Sequence, residues 1–233
     1  MERLDKFLCD SGAGTRSQVK AILKAGRVTV DGRPEKDGSQ KIDPQTQTVT
    51  LDGETLGGKR RLVVMLNKPA GYVTATEDAQ QKTVMELLPK AWAHLDLKPV
   101  GRLDKETEGL LLFTNDGAFA NELTHPKREV EKIYEVWVSG YQSGGEEKLS
   151  RPIVLDGYRI RPPKVVLLST NEEKAKFRVT IHEGRNRQIR RMCEAAGMRC
   201  TRLRRIQEGS LYLGDLPIGT WRYLTAEEVA ELK

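Results

Sequence analysis

Asp104 is the residue whose neighbours best prepare it to do chemistry. It lies in Gly101-Arg102-Leu103-Asp104-Lys105-Glu106-Thr107-Glu108-Gly109, a polar loop bounded by glycines and followed at once by the apolar run Leu110-Leu111-Leu112. A carboxylate at the mouth of a strand can serve as a nucleophile or a general base. The same residue type also ties tight loops together by accepting backbone N–H bonds, and that reading stays open here. Arg102 precedes it by two residues, so in extended backbone the two side chains point the same way. Arg102 suits a phosphate contact or a surface ion pair as well as a place beside the reacting group. Glu106 and Glu108 suggest sugar hydrolysis with paired carboxylates, but neighbours two apart in a loop need not face one substrate.

The second concentration of chemistry-bearing residues is basic. Between Gly184 and Arg205 stand eight arginines (185, 187, 190, 191, 199, 202, 204 and 205) against the single acid Glu194. Guanidinium groups at that density suit a polyanion, because each can hold phosphate through two parallel hydrogen bonds. Apolar residues alternate with the arginines, which separates this segment from a loose basic tail. Within Glu183-Gly-Arg-Asn-Arg-Gln-Ile-Arg-Arg-Met192 a helical spacing puts Ile189, Met192, Cys193 and Ala196 on one stripe and leaves Arg187, Arg190 and Arg191 on another side. Lys132-Ile133-Tyr134 opens a strand pattern in which Tyr134, Val136 and Val138 share one face. That face can present an aromatic ring to a ligand or bury it.

These groups need elements to hold them. Leu62 to Leu66 reads as an apolar strand, and Asn67-Lys68-Pro69-Ala70-Gly71 as a turn leading into another. Thr83-Val-Met-Glu86 has capping-box form, so a short helix is expected from there to Leu88, before Pro89. A strand at 110–114, the turn Asn115-Asp116-Gly117 and a helix through Leu123 follow the Asp104 loop. Further strands are expected at 130–138, 153–155, 164–168, 176–181 and 198–206, a helix from Asn186 to Ala196 closed by Gly197, and a last helix from Thr225. Strands predominate and lie close together, which favours an α+β mixed sheet over a wound βαβ layer.

Residues 2–25 form two short amphipathic helices, the first through Leu4, Phe7 and Leu8, the second behind Thr15 through Val19, Ile22 and Leu23. Strands are expected at 27–32, running into an Asp-Gly turn, and at 48–51. The flexible, basic stretch Gly57-Gly58-Lys59-Arg60-Arg61 reads as a linker. The expected organisation is a small α+β domain over 1–57, a linker over 58–61 and a larger domain over 62–233.

With 233 residues, 38% hydrophobic and 31% charged, the composition is that of a globular protein, and no apolar run approaches a membrane span. The N-terminus lacks the pattern of a secretory signal, so a cytoplasmic protein is expected. Cys9, Cys193 and Cys200 form no Cys-x-x-Cys pair, and His94, His125 and His182 have no ligand spacing. Neither a metal site nor a disulfide framework is expected.

Taken in order, the motifs resemble a known family. Gly-Arg-Leu-Asp with Thr-x-Gly-Leu-Leu-Leu resembles the catalytic motif of pseudouridine synthases. Preceded by Asn-Lys-Pro-x-Gly and followed by Lys-x-Tyr and Gly-Arg-Asn-Arg-Gln-Ile-Arg-Arg-Met, it resembles the RsuA/RluB/RluE/RluF group of bacterial ribosomal RNA enzymes. Arg3-Leu-Asp-Lys-Phe-Leu, Thr15-Arg-Ser17 and Ala25-Gly-Arg-Val-Thr-Val-Asp-Gly32 resemble the S4-type RNA-binding domain.

The resemblance implies a mixed, largely antiparallel catalytic sheet with flanking helices. Asp104 would be the nucleophile, Arg190 its ion-pair partner, and Tyr134 the ring that stacks on the uracil and assists proton removal from C5. Arg102 would enter the RNA stack, Leu203 would pack on the other side of the base, and Lys132 and Arg187 would contact substrate. Arg185, Arg204 and Arg205 would touch phosphates. Arg3, Lys6, Arg16, Lys20, Lys24 and Arg27 would present the N-terminal domain to RNA, although residues 1–57 balance nine basic with nine acidic groups.

The implied partner is structured ribosomal RNA, as a stem-loop or an assembly intermediate. The form Arg-Asn-Arg-Gln-Ile-Arg-Arg favours 23S over 16S RNA. No cofactor is implied, and monomer is the default state. The competing expectation is an RNA-binding assembly protein that keeps the fold without catalysis.

Overall fold

The computed structural model describes residues 1–44, 46–56, 61–125 and 128–232. The chain divides into two compact units, Met1–Arg61 and Leu62–Lys233. The expected linker at 58–61 lies, except for Arg61, outside the described residues.

In the first unit helix Leu4–Asp10 turns through Gly12 into helix Arg16–Lys24. Thr15 starts the second helix as a capping box with Gln18, whose side chain accepts the Thr15 N–H at 2.8 Å. The strands Arg33–Pro34, Val28–Val30, Val49–Leu51 and Glu54–Leu56 form one antiparallel sheet in that order. Its two tight turns are Asp31-Gly32 and Asp52-Gly53, with φ of 51° and 77°, and 52° and 85°. Two successive positive φ values are what a hairpin matched to strand twist requires, and Asp-Gly supplies them. Leu4, Phe7, Leu8, Val19, Leu23, Val28, Val30, Ile42 and Val49 close the small core.

The second unit is built on a nine-stranded sheet. Its main order is Lys164–Asn171, Lys174–Ile181, Lys132–Ser139, Arg199–Glu208, Thr107–Thr114, Val63–Lys68 and Trp221–Tyr223, with two short strands, Lys98–Val100 and Leu211–Tyr212, paired beside it. Every pairing is antiparallel except that of Arg199–Glu208 with Thr107–Thr114. The fold is therefore α+β with a mixed, largely antiparallel sheet. Alternation sends Leu111, Phe113, Tyr134, Val136, Phe177, Val179 and Leu203 into one core, beneath helix Gln188–Ala195. Leu110, Leu112, Val63 and Met65 go into a second core on the other face, closed by helices Gly117–Thr124 and Ala226–Glu231. The run Leu110-Leu111-Leu112 is continuous because this strand is covered on both sides.

Three local expectations are corrected. The helix of the arginine-rich motif begins at Gln188, not Asn186, because Arg187 takes φ 49° in the left-handed region and cannot continue a helix. The segment after Gly71 does not become a strand: Val73 makes only an isolated bridge to Thr83, while the Gly71 N–H is committed to the Lys105 carbonyl at 2.8 Å. The helix behind Thr83 is a single 3-10 turn, Val84–Leu87, because Leu88 is forced extended ahead of Pro89.

Candidate active site

Four devices hold the loop that carries Asp104. The first is Lys68, at the end of strand Val63–Lys68. Its side chain is fully buried, and Nζ donates to the carbonyls of Thr107 at 2.8 Å, Pro69 at 3.0 Å, Lys105 at 3.1 Å and Asp104 at 3.3 Å. Burial pushes this ammonium down to about 8, with the carboxylates of Asp104, Glu106 and Glu108 opposing the shift. The second is Thr74, whose hydroxyl donates to the Leu103 carbonyl at 2.7 Å and accepts its N–H at 3.2 Å.

The third is a tight turn inside the loop: the Glu106 N–H donates to Asp104 Oδ1 at 3.1 Å and the Thr107 N–H to the Asp104 carbonyl. The fourth is Gly109, with φ 102°, where a Cβ would lie 2.1 Å from the Arg205 carbonyl oxygen. Only glycine lets the parallel strands approach this closely.

The Asp104 carboxylate meets two guanidiniums. Arg190 Nε is 3.5 Å from Oδ2 and Arg187 is 4.0 Å from Oδ1. Arg190 is only 7% exposed and is itself fixed by the Glu106 carbonyl at 3.1 Å and by the carbonyl and sulfur of Cys200 at 3.5 and 3.8 Å. Its Nε has no hydrogen bond among the described residues, so the contact with Asp104 is ionic rather than a formed hydrogen bond.

A cavity of about 340 Å³ opens beside this pair. That is at the low end of small-ligand sites, which run from roughly 300 to 1,000 Å³. Tyr134, Ile181, Ile189 and Leu203 supply apolar walls, and Arg102, Arg185 and Arg187 supply charge. An aromatic ring and a leucine lining one cavity suit a planar ring. Arg185 lies over the ring of Tyr158 at 3.3 Å from its centroid, so its guanidinium is held flat at the edge of the cavity.

Burial pushes the Tyr134 phenol up from its ordinary value, with the positive charge of the Arg205 guanidinium opposing the shift. A phenol in that state keeps its proton near neutral pH, so Tyr134 offers a stacking face and a hydroxyl rather than a ready-made base.

Chain topology thus brings together Asp104, Arg190, Arg187, Tyr134, Leu203, Arg102 and Arg185. It does not bring in Arg205 as a phosphate contact. Arg205 is 2% exposed, donates to the Leu110 carbonyl at 2.8 Å and meets Glu208 at 3.1 Å, so it is an internal positioning group. Lys132 also lies elsewhere. It opens onto a neighbouring depression with Arg161 and His182, donates to the Val130 carbonyl at 2.9 Å, and burial pushes its ammonium down. Arg204 is on the opposite face of the sheet, in register with Glu135.

In the first unit Arg3, Lys6 and Arg27 are tied to Asp5, to Glu2 and Asp10, and to Asp52. Arg16, Lys20 and Lys24 are exposed and carry no ion pair among the described residues. The paired-carboxylate reading falls because Glu108 is held by Arg202 at 2.7–3.1 Å on the far face of the sheet.

Sequence reading missed Lys68, Thr74 and Cys200. Only the Asn-Lys-Pro-x-Gly motif carried a signal for the first. Among the described residues no group of three His, Cys, Asp or Glu side chains could hold a metal ion.

The RNA pseudouridylate synthase model matches residues 62–195, more than half of the chain, and the S4 domain model matches residues 2–47. The chain belongs to the RNA pseudouridylate synthase family. It is 40% identical to an uncharacterized RNA pseudouridine synthase, YtzG, of Bacillus subtilis, over 97% of this chain and 96% of that one. Ribosomal small subunit pseudouridine synthase A of Vibrio parahaemolyticus is 38% identical, over 97% of each chain. Ribosomal large subunit pseudouridine synthase B of Bacillus subtilis is 37% identical, over 100% of this chain and 96% of that one. A crystal structure of a pseudouridylate synthase matches over the full length of both chains, with a TM-score of 0.68 and 30% identity. The enzyme is an isomerase with an N-terminal S4 RNA-binding domain. Among its described residues no helix is long and apolar enough to cross a membrane.

Proposed function

We propose that this enzyme isomerises one uridine of ribosomal RNA to pseudouridine with Asp104 as the nucleophile. The observation that carries the reading is the Asp104 carboxylate, held beside Arg190 at 3.5 Å and opening into a cavity walled by Tyr134 and Leu203. The reaction breaks the bond between ribose C1′ and uracil N1, joins C1′ to C5, and moves the C5 proton away while N1 regains one. Nothing is oxidised and no group is imported. The protein therefore has to extract the nucleotide from its stack, hold the base while it turns, and stabilise charge at the sugar.

Tyr134 and Leu203 grip the base from its two faces, so the freed uracil stays in place while its C5 edge rotates toward C1′. Arg190 aims the carboxylate, and Arg187 adds a second cation at its other oxygen. Arg102, on the loop itself, fills the space the base leaves. Arg185 holds a backbone phosphate at the mouth. The S4 domain, residues 1–57, docks on structured RNA through Arg16, Lys20 and Lys24, the cations of its second helix that carry no ion pair among the described residues. Residues 62–233 carry the chemistry.

The expected target is 23S RNA, on the form of the Arg-Asn-Arg-Gln-Ile-Arg-Arg segment. Relatives named for either ribosomal subunit are about equally similar, so mapping pseudouridines in both RNAs with and without the gene decides the target. Tritium release from rRNA labelled at uracil C5 tests the chemistry. The wild type is expected to turn over and Asp104→Asn to release no more than background. Robust turnover by that variant removes Asp104 from its role, and release of free base would make the protein a hydrolase.

A further inference from the structure

The arginines of the Arg199–Glu208 strand do not all serve the cavity. Alternation puts Leu203 and Arg205 on the cavity side and Arg202 and Arg204 on the other. That other side is open where the second hydrophobic core ends, over the strands Arg199–Glu208, Lys132–Ser139, Lys174–Ile181 and Lys164–Asn171. In cross-strand register, one row across it reads Arg204, Glu135, Arg178 and Val166, and the next reads Arg202, Trp137 and Lys176. Lys164 and Lys174 extend the same face. Against these six cations stand Glu108 and Glu135.

Both acids are already engaged, Glu108 by Arg202 and Glu135 by Lys176 at 2.7 Å. The cations of those two pairs also lie 4.7 Å from the Trp137 ring centroid. Arg178 and Arg204 are left with no ion-pair partner among the described residues. Val166, between them and the sheet edge, is 43% exposed. A solvated antiparallel face ordinarily mixes its charges so that like charges do not sit side by side. Here two unpaired guanidiniums flank one neutralised acid around an aromatic ring, a surface complementary to phosphodiester.

We infer that this rear face of the catalytic sheet is a second RNA-contact surface, taking the backbone of a segment of the substrate RNA other than the strand that enters the cavity. The inference rests on RNA being the substrate, as proposed above. Arg178 and Arg204 hold phosphates there, and the Trp137 ladder spaces them. The surface adds affinity for a large folded RNA and takes no part in the isomerisation, because it is separated from Asp104 by the thickness of the sheet.

The test uses the full chain, a 23S RNA transcript as probe, and the double variant Arg178→Glu/Arg204→Glu. Neither side chain is paired, so the fold should be unaffected; Arg178→Gln/Arg204→Gln repeats the test without adding carboxylates. The expected result is a Kd for the transcript raised about tenfold, and a dependence of log K on log salt shallower by about two, one for each lost phosphate contact. Turnover at saturating RNA should match the wild type.

Unchanged Kd and salt slope in both variants overturn the inference and leave the face to a protein partner. A fall in turnover at saturation overturns it too, because the face would then act through the active site. If wild-type protein binds RNA and loses that binding in the variants but isomerises nothing, the reaction assigned above fails while the surface stands.

Discussion

Replacing Lys68 with methionine should uncouple the fold from the Asp104 loop. The ammonium has three protons for four carbonyls, so about three charge-assisted bonds are lost, at about 1.5–3 kcal/mol each. Two of the orphaned acceptors keep another donor: the Asp104 carbonyl has the Thr107 N–H and the Lys105 carbonyl has the Gly71 N–H. Against this loss stands relief of burying the charge. A fall from 10.5 to about 8 corresponds to ~3.4 kcal/mol, at ~1.36 kcal/mol for each unit.

The balance is a net destabilisation of about 1–6 kcal/mol, which a domain of ordinary stability survives in part. Urea unfolding measures it. The catalytic consequence is larger, because a displacement of about 1 Å at the reacting group costs on the order of a hundredfold in rate. Tritium release at saturating RNA, in conditions where the variant is folded, should fall by that order.

The sign of the pH effect is fixed as well. With the folded value below the unfolded one, the unfolded chain holds the extra proton between about pH 8 and 10.5. Lys68 therefore makes the wild type gain stability across that window, and Lys68→Met lacks the gain. A Lys68→Met protein within about 0.5 kcal/mol of wild type and within twofold in turnover would refute the reasoning, since substitutions away from such features stay inside that range.

Other perturbations separate the remaining parts. Arg190→Lys keeps a charge but loses the fork that meets Asp104, the Glu106 carbonyl and Cys200 together, and should lower kcat by roughly tenfold to a hundredfold with little change in RNA affinity. Gly109→Ala places a Cβ 2.1 Å from the Arg205 carbonyl and should destabilise by about 3 kcal/mol or more, read in chemical denaturation. Tyr134→Ala removes the stacking face and should cost about 1–3 kcal/mol in kcat/KM for tritium release, while Tyr134→Phe keeps that part. Arg205→Met should reduce stability rather than the salt dependence of RNA binding, because Arg205 is buried against Glu208 and the Leu110 carbonyl.

The sequence by itself determined most of the elements and singled out Asp104 as the candidate reacting group. Strand alternation, the capping residues Thr15 and Thr225 and the Asp-Gly turn at Asp31 are local effects, written in a few neighbouring residues. The motif around Asp104 was legible because its glycines and its carboxylate are written side by side in one loop, whereas the close approach that requires Gly109 comes from Arg205 on another strand. Arg190 was legible as the partner of Asp104 only through resemblance, since 86 positions separate the two and nothing in either neighbourhood points to the other.

Tertiary structure alone decided which basic residues are surface and which are interior. Arg204 and Arg205 are adjacent and chemically identical, yet strand alternation turns one to an open face and the other into the core against Glu208. Lys68 ends an apolar strand in a position that reads as a turn, and only the folded loop arching over it reveals four carbonyls converging on one ammonium. Burial and partnership are properties of long-range packing. A side chain's type fixes what it can do, and the fold fixes which of its neighbours it meets.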